Sequence, residues 1–123
     1  MYVRKPDSGF ASKFLTRLHK FLTFGNYSKE AVAGLLDSSA PDRKTVLAAA
    51  IEGMGGKLID YQMTRGIYDF YVISEADSFD QIAAVVMKVF ASGAGENIQT
   101  LEVMDLKAVQ AIAGGVNYTP PGG

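Results

Sequence analysis

The sequence predicts an α+β fold, a ferredoxin-like sandwich with the order βαββαβ and one antiparallel four-stranded sheet. Three observations lead there. Four short runs have strand character, at 19–24, 57–63, 70–75 and 98–103. Segments with apolar residues at helical spacing fill the two long gaps between them. The middle two runs are separated only by a short turn, so they form a hairpin. With right-handed crossovers, the helical segments pack on the same face of the sheet.

Residues 1–18 mix Pro6, Ser8, Gly9 and Ser12 with charge and read as an N-terminal extension. From Phe14 two patterns overlap. Phe14, Leu15, Leu18, Phe21 and Leu22 are spaced as on a basic amphipathic helix or part of a transit peptide. Against this, KFLTF is aromatic and β-branched and is followed by Gly25-Asn26, which reads as the end of a strand over His19–Phe24. Ser28 can cap a helix continuing to Leu36, with Ala31, Val32, Leu35 and Leu36 on its buried face. Pro41 suits the first turn of a second helix, with Asp42 near the positive end of its dipole and Val46, Leu47, Ala50, Ile51 and Met54 as its apolar body. Gly55-Gly56 is read as its left-handed stop.

Lys57–Met63 alternates Leu58, Asp60 and Gln62 with Lys57, Ile59, Tyr61 and Met63. After the turn, Phe70–Glu75 is apolar on both faces, with Phe70 and Val72 on one and Tyr71 and Ile73 on the other. Ser78 can cap a helix whose stripe is Ile82, Val85, Val86, Val89 and Phe90. Ile98–Val103 gives the fourth strand, Asp105 a cap for a short helix over Leu106–Ala113, and residues 114–123 a flexible tail.

Composition narrows the chemistry. One domain of 123 residues buries roughly two thirds of its unfolded surface. No apolar run approaches the about 20 residues of a membrane span, so no membrane partner is expected. The absence of cysteine excludes disulfides, thiolate zinc sites and a cysteine nucleophile, and it fits a reducing, cytoplasmic setting. A single histidine, His19, excludes a multi-histidine metal site. No cofactor and no metal are expected. Residues 1–20 carry a net +4, leaving −5 for the remainder. An acidic body is unsuited to phosphate backbones, so no nucleic acid is expected.

Helices on one side of a sheet leave the other face to water. Here that face carries four or five large apolar or aromatic side chains from the central strands and the fourth strand. At about 1.5–3 kcal/mol per fully buried side chain, leaving them wet forgoes on the order of 10 kcal/mol. A second copy of the same sheet is the simplest cover, which predicts a homodimer, or a higher oligomer, with facing sheets.

The segments KFLTFGNYSKEAVAGLL, GMGGKLIDYQMTRGIYDFYVISEAD and SGAGENIQTLEVM, in that order, resemble GYD-domain proteins, small members of the dimeric α+β barrel superfamily. The resemblance covers residues 19–113. The Gly-Tyr-Asp of the family name corresponds to Gly66, Tyr68 and Asp69, with Ile67 inserted, and the aligned double glycine is Gly55-Gly56. The resemblance implies the fold and the dimeric barrel and supplies no catalytic residues. In related barrels the space between sheet and partner often holds small aromatic or polyketide-like ligands, and some members are monooxygenases or isomerases there.

No catalytic residue is assigned. The candidate pocket or rim residues are His19, Tyr61, Arg65, Tyr68 and Asp69. Arg65, Tyr68 and Asp69 bring a guanidinium, a phenol and a carboxylate into one turn; as structure, Gly66 supplies backbone freedom, Asp69 bonds turn amides and Tyr68 packs on the sheet edge. His19 and Tyr61 are expected to point from neighbouring strands into the space between sheet and partner. Asp60 and Glu75 lie on different central strands where they could face each other, but they read as solvated or paired side chains and not as an acid/base pair. Arg65–Val72 superficially resembles the aromatic motif of RNA-recognition domains, but an extra residue shifts its aromatics out of register and an acid lies inside it. The reading is a homodimer binding a small, partly apolar ligand between sheet and partner. Its alternatives are a cofactor-independent monooxygenase or isomerase using His19 or a pocket tyrosine, and an interaction module with a filled interior.

Overall fold

The computed structural model describes residues 19–122, so the N-terminal extension expected over 1–18 lies outside the described residues. The elements are β1 (His19–Tyr27), α1 (Lys29–Leu35), α2 (Arg43–Glu52), β2 (Lys57–Met63), β3 (Phe70–Ala76), α3 (Phe79–Ala91), β4 (Gly95–Val103) and α4 (Leu106–Ala113). The four strands form one antiparallel sheet in the order β2-β3-β1-β4, the ferredoxin-like arrangement the sequence predicts.

Local chemistry accounts for the helix starts. The Ser28 hydroxyl accepts the Ala31 N–H at 3.0 Å, and an Asp42 carboxylate oxygen accepts that of Thr45 at 3.2 Å. At α3 the Ser78 N–H donates to Gln81 Oε1 at 3.1 Å, while Gln81 Nε2 donates to the Met54 carbonyl at 2.6 Å. Gln81 thereby ties the start of α3 to the turn after α2. The core on the helix side has two parts. Ile51, Phe70, Val72 and Val85 form one, and Phe21, Ala76 and Ile82 the other.

Several boundaries differ from expectation for identifiable reasons. β1 does not stop at Gly25-Asn26 but runs on to Tyr27, and β4 begins at Gly95 rather than Ile98. A Cβ on Gly25 would meet the Glu96 carbonyl oxygen and Ile98 Cα, both at 3.1 Å, so this glycine permits close approach of β4. The β1–β4 register shifts between Phe24 and Asn26, where Asn97 in β4 adopts a left-handed φ of 52°. Pro41 precedes α2, and Asp42 is its cap. That helix ends at Glu52 and is capped by Gly53 in a right-handed conformation; Gly55, with φ 87°, turns the chain afterwards. α1 stops one residue short of Leu36, which is 80% exposed, and it has no fully buried residue. Phe90 is likewise off the buried stripe of α3.

β2 is an edge strand, not a central one. Its register against β3 shifts between Leu58 and Asp60, which breaks the expected alternation. Leu58 and Tyr61 therefore both pack on the helix side, while Asp60 bonds to Tyr71 on the other. On that second face Leu22 of β1 stands between Ile73 of β3 and Leu101 of β4, and the next row is Tyr71, Phe24 and Gln99. Leu101 and Val103 are 54% and 52% exposed. α4 has no buried residue, and residues 114–122 follow it without a helix or strand.

Candidate functional site

Three helices resting on a four-stranded sheet do not fill the space beneath them. A cavity of about 450 Å³ lies there, floored by Thr23, Val72 and Ser74 and walled by Leu47 and Ile51 of α2 and Val85 and Val89 of α3. It lies on the helix side of the sheet within one chain. Tyr61, expected to point into the space between sheet and partner, packs on the helix side of the sheet instead.

The polar groups of the cavity are few. Tyr27 and Tyr61 join their phenols in a hydrogen bond. The Tyr27 ring lies 4.9 Å from that of Phe70 at a tilt of 30°, and Tyr61 meets the same ring edge-on at 6.4 Å. Burial first, then the hydrogen bond with Tyr61, push the Tyr27 phenol far above its ordinary range, with Arg43 opposing. The Tyr27 phenol therefore keeps its proton at physiological pH. One phenol donates to the other, so one O–H is left for a further acceptor. Arg43, the first residue of α2, stands at the mouth. Ser74 is 1% exposed, and its hydroxyl has no hydrogen-bond partner among the described residues. The Thr23 hydroxyl, by contrast, pairs with that of Thr100 at 3.0 Å.

Of the five candidate residues, only Tyr61 lines this cavity. His19 lies at the far end of β1, with Nδ1 2.7 Å from Glu102 Oε2 and both side chains 45% exposed. β3 lies between β1, which carries His19, and β2, which carries Tyr61, so the two are not on neighbouring strands. Tyr68 packs edge-on against Phe24 of central β1 at 4.6 Å and accepts from Gln99 Nε2 at 3.2 Å, placing it over the open face rather than on the sheet edge. Asp69 bonds the β1 backbone, at the N–H of Tyr27, rather than amides of its own turn. Arg65 is exposed in the turn. Asp60 and Glu75 do not face each other. Asp60 accepts from Tyr71 Oη at 2.9 Å and Gln62 Nε2 at 3.0 Å, whereas Glu75 stands between Lys57 and Lys20.

Tyr27, Arg43 and Ser74 were not expected in a site. Tyr27 lies past the glycine read as a strand end, and Arg43 looks like ordinary first-turn charge. Ser74 did carry a signal, a hydroxyl on the buried face of an otherwise apolar strand.

The family model for the GYD domain matches residues 21–113. No curated protein matches the chain. Among solved structures, the crystal structure of MtbAldR superposes with a TM-score of 0.50 at 11% identity, over 76% of this chain and 57% of that one. The chain thus spans little more than half the length of that protein, and the likeness is one of fold alone. No helix among the described residues is long and apolar enough to cross a membrane.

Proposed function

The chain belongs to the GYD domain family, and on that premise we propose that it binds a small, largely apolar molecule in the cavity between helices and sheet and works as a homodimer packed through its open sheet faces. The observation that carries the ligand reading is the cavity itself. About 450 Å³ of mostly apolar space with a few convergent polar groups is the ordinary form of a small-molecule site. An interaction module with a packed interior would have no such space. The dimer reading rests on the row Ile73, Leu22 and Leu101, which no helix among the described residues covers and which a second sheet would bury as a dimeric α+β barrel.

A second reading, a cofactor-independent monooxygenase or isomerase, is favoured by the Tyr27–Tyr61 pair, which could pass a proton to or from a bound molecule. The proton-handling group would then be a pocket tyrosine, since His19 does not line the cavity. Native mass spectrometry of the purified protein tests the main reading. A mass of two chains with a retained small molecule supports it. A monomer that takes up no apolar compound would overturn it. Turnover lost in Tyr61→Phe with binding retained would establish the second reading.

A further inference from the structure

Arg43 owes its position to its neighbour. Asp42 caps α2 by accepting both the N–H and the hydroxyl of Thr45, at 3.2 and 3.1 Å, which leaves Arg43 on the first turn facing outward. Arg43 lies on the rim shared by the cavity and a shallower depression outside it. The other charged residues around that depression are Asp37, Asp42 and Lys44. Asp37 is turned to Ser39, accepting its N–H at 3.0 Å and its hydroxyl at 2.7 Å. Both acids thus satisfy their own backbone, and Arg43 has no ion pair among the described residues.

Behind this cation come the paired phenols with one O–H to spare, then apolar walls. Ser74 lies deeper. Tyr61 stands opposite Val72, and Ser74 follows two residues along the strand, roughly 7 Å farther from the mouth. A buried hydroxyl without a partner is uncommon in a protein interior and marks a place for a ligand group or water. The cavity is thus cationic and donor-rich at its mouth, apolar in the middle and singly polar at depth. A carboxylate, which only accepts hydrogen bonds, suits the donors at the mouth.

Resting on the ligand-binding reading above, we infer that the cavity takes a small carboxylic acid with an aromatic-sized apolar body, its carboxylate at Arg43 and the spare phenol O–H. A hydroxyl or carbonyl at the far end of that body meets Ser74. An amine in place of the acid meets like charge at the mouth, and an alcohol forgoes the charge-assisted bond.

Titration calorimetry with four probes decides this: 3-phenylpropanoate, 3-phenylpropan-1-ol, 3-phenylpropylamine and 3-(4-hydroxyphenyl)propanoate. The acid is expected to bind about tenfold more tightly than the alcohol, with the amine weakest, and the gap should narrow in about 1 M salt because Arg43 is exposed. Arg43→Gln should erase the preference by weakening the acid far more than the alcohol. Ser74→Ala should remove the added affinity of the 4-hydroxy acid over the plain acid and spare the acid–alcohol gap. Equal binding of acid and alcohol, or a gap that survives Arg43→Gln, would overturn the acid inference while leaving the cavity a ligand site. Failure of all four probes to bind at millimolar concentration would overturn both.

Discussion

The carboxylate of Asp69, at the end of the β2–β3 turn, accepts the backbone N–H of Tyr27 in β1 at 2.9 Å. The same oxygen accepts Asn26 Nδ2 at 3.2 Å, and the Asp69 N–H donates to the Gly25 carbonyl at 2.8 Å. Asn26 also donates to the Ile67 carbonyl at 3.1 Å and accepts from Asn97 Nδ2 at 3.0 Å. Asp69 therefore pins the stretch where β1 shifts register, and that stretch delivers Tyr27 to the cavity. Asp69→Ala is expected to lower the unfolding free energy by about 1–3 kcal/mol, since it leaves a partly buried N–H unsatisfied. Asp69→Asn should cost less because its amide oxygen can still accept. Urea denaturation of the two variants measures the difference, and equal, negligible effects would contradict the role.

How far the sequence could be read depended on the range of the interactions involved. The caps Ser28 and Asp105, the extent of β2 and the order of elements along the chain are products of local pattern and short connections, and they were legible. Gly25-Asn26 looks locally like a turn; only the approach of β4, about seventy residues later in the chain, makes it the interior of a strand. Misreading that pair hid Tyr27. The shift beside Ile59 is equally silent, and it decides that Tyr61 enters the cavity. Strand order then separates His19 from Tyr61, although alternation alone cannot tell which strands are neighbours.

The row Ile73, Leu22 and Leu101 yields a test of assembly. Leu22 lies on a central strand and touches both neighbours in register, so a charge there would sit in the middle of the proposed dimer contact. Leu22→Asp should convert a two-chain particle into a one-chain particle in light scattering at micromolar concentration, because an unpaired buried carboxylate costs several kcal/mol. Met87→Asp, an exposed change on α3 away from this face, should leave the mass unchanged. Dissociation by both variants, or by neither, would count against the contact.

Tyr71 and Asp60 share a hydrogen bond whose two partners shift in opposite directions. Bonds from Gln62 and then Tyr71 hold the Asp60 carboxyl below its usual range, and the bond to Asp60 pushes the Tyr71 phenol up. A lowered carboxyl contributes stability that is present above the unfolded value of about 4 and lost as pH falls through the folded one. A raised phenol contributes stability that is present below about 10 and lost as pH rises through its folded value. Tyr71→Phe should therefore show its deficit in melting temperature across the middle of the pH range and approach the parent protein at both ends. Both side chains are only half-buried and open to solvent screening, so the direction of the change is the test; a deficit constant with pH would contradict the coupling.

Gly56 and Gly66 are needed for different reasons. A Cβ on Gly56 would lie 2.8 Å from the Glu75 carbonyl oxygen and 3.0 Å from Ile51 Cγ2, and the first of these is backbone in a paired strand. Gly66 has φ 137° with nothing within 4 Å of an added Cβ, so its constraint is conformational alone. Gly56→Ala is expected to cost about 1–3 kcal/mol by forcing α2 and β2 apart. Gly66→Ala should cost about 1–2 kcal/mol through backbone strain in the turn. Ligand binding separates them, because Ile51 walls the cavity and the β2–β3 turn does not. Affinity for 3-phenylpropanoate should fall in Gly56→Ala and stay unchanged in Gly66→Ala, at matched folded fractions. Equal losses in both variants would mean that binding follows global stability and not the spacing of α2 from the sheet.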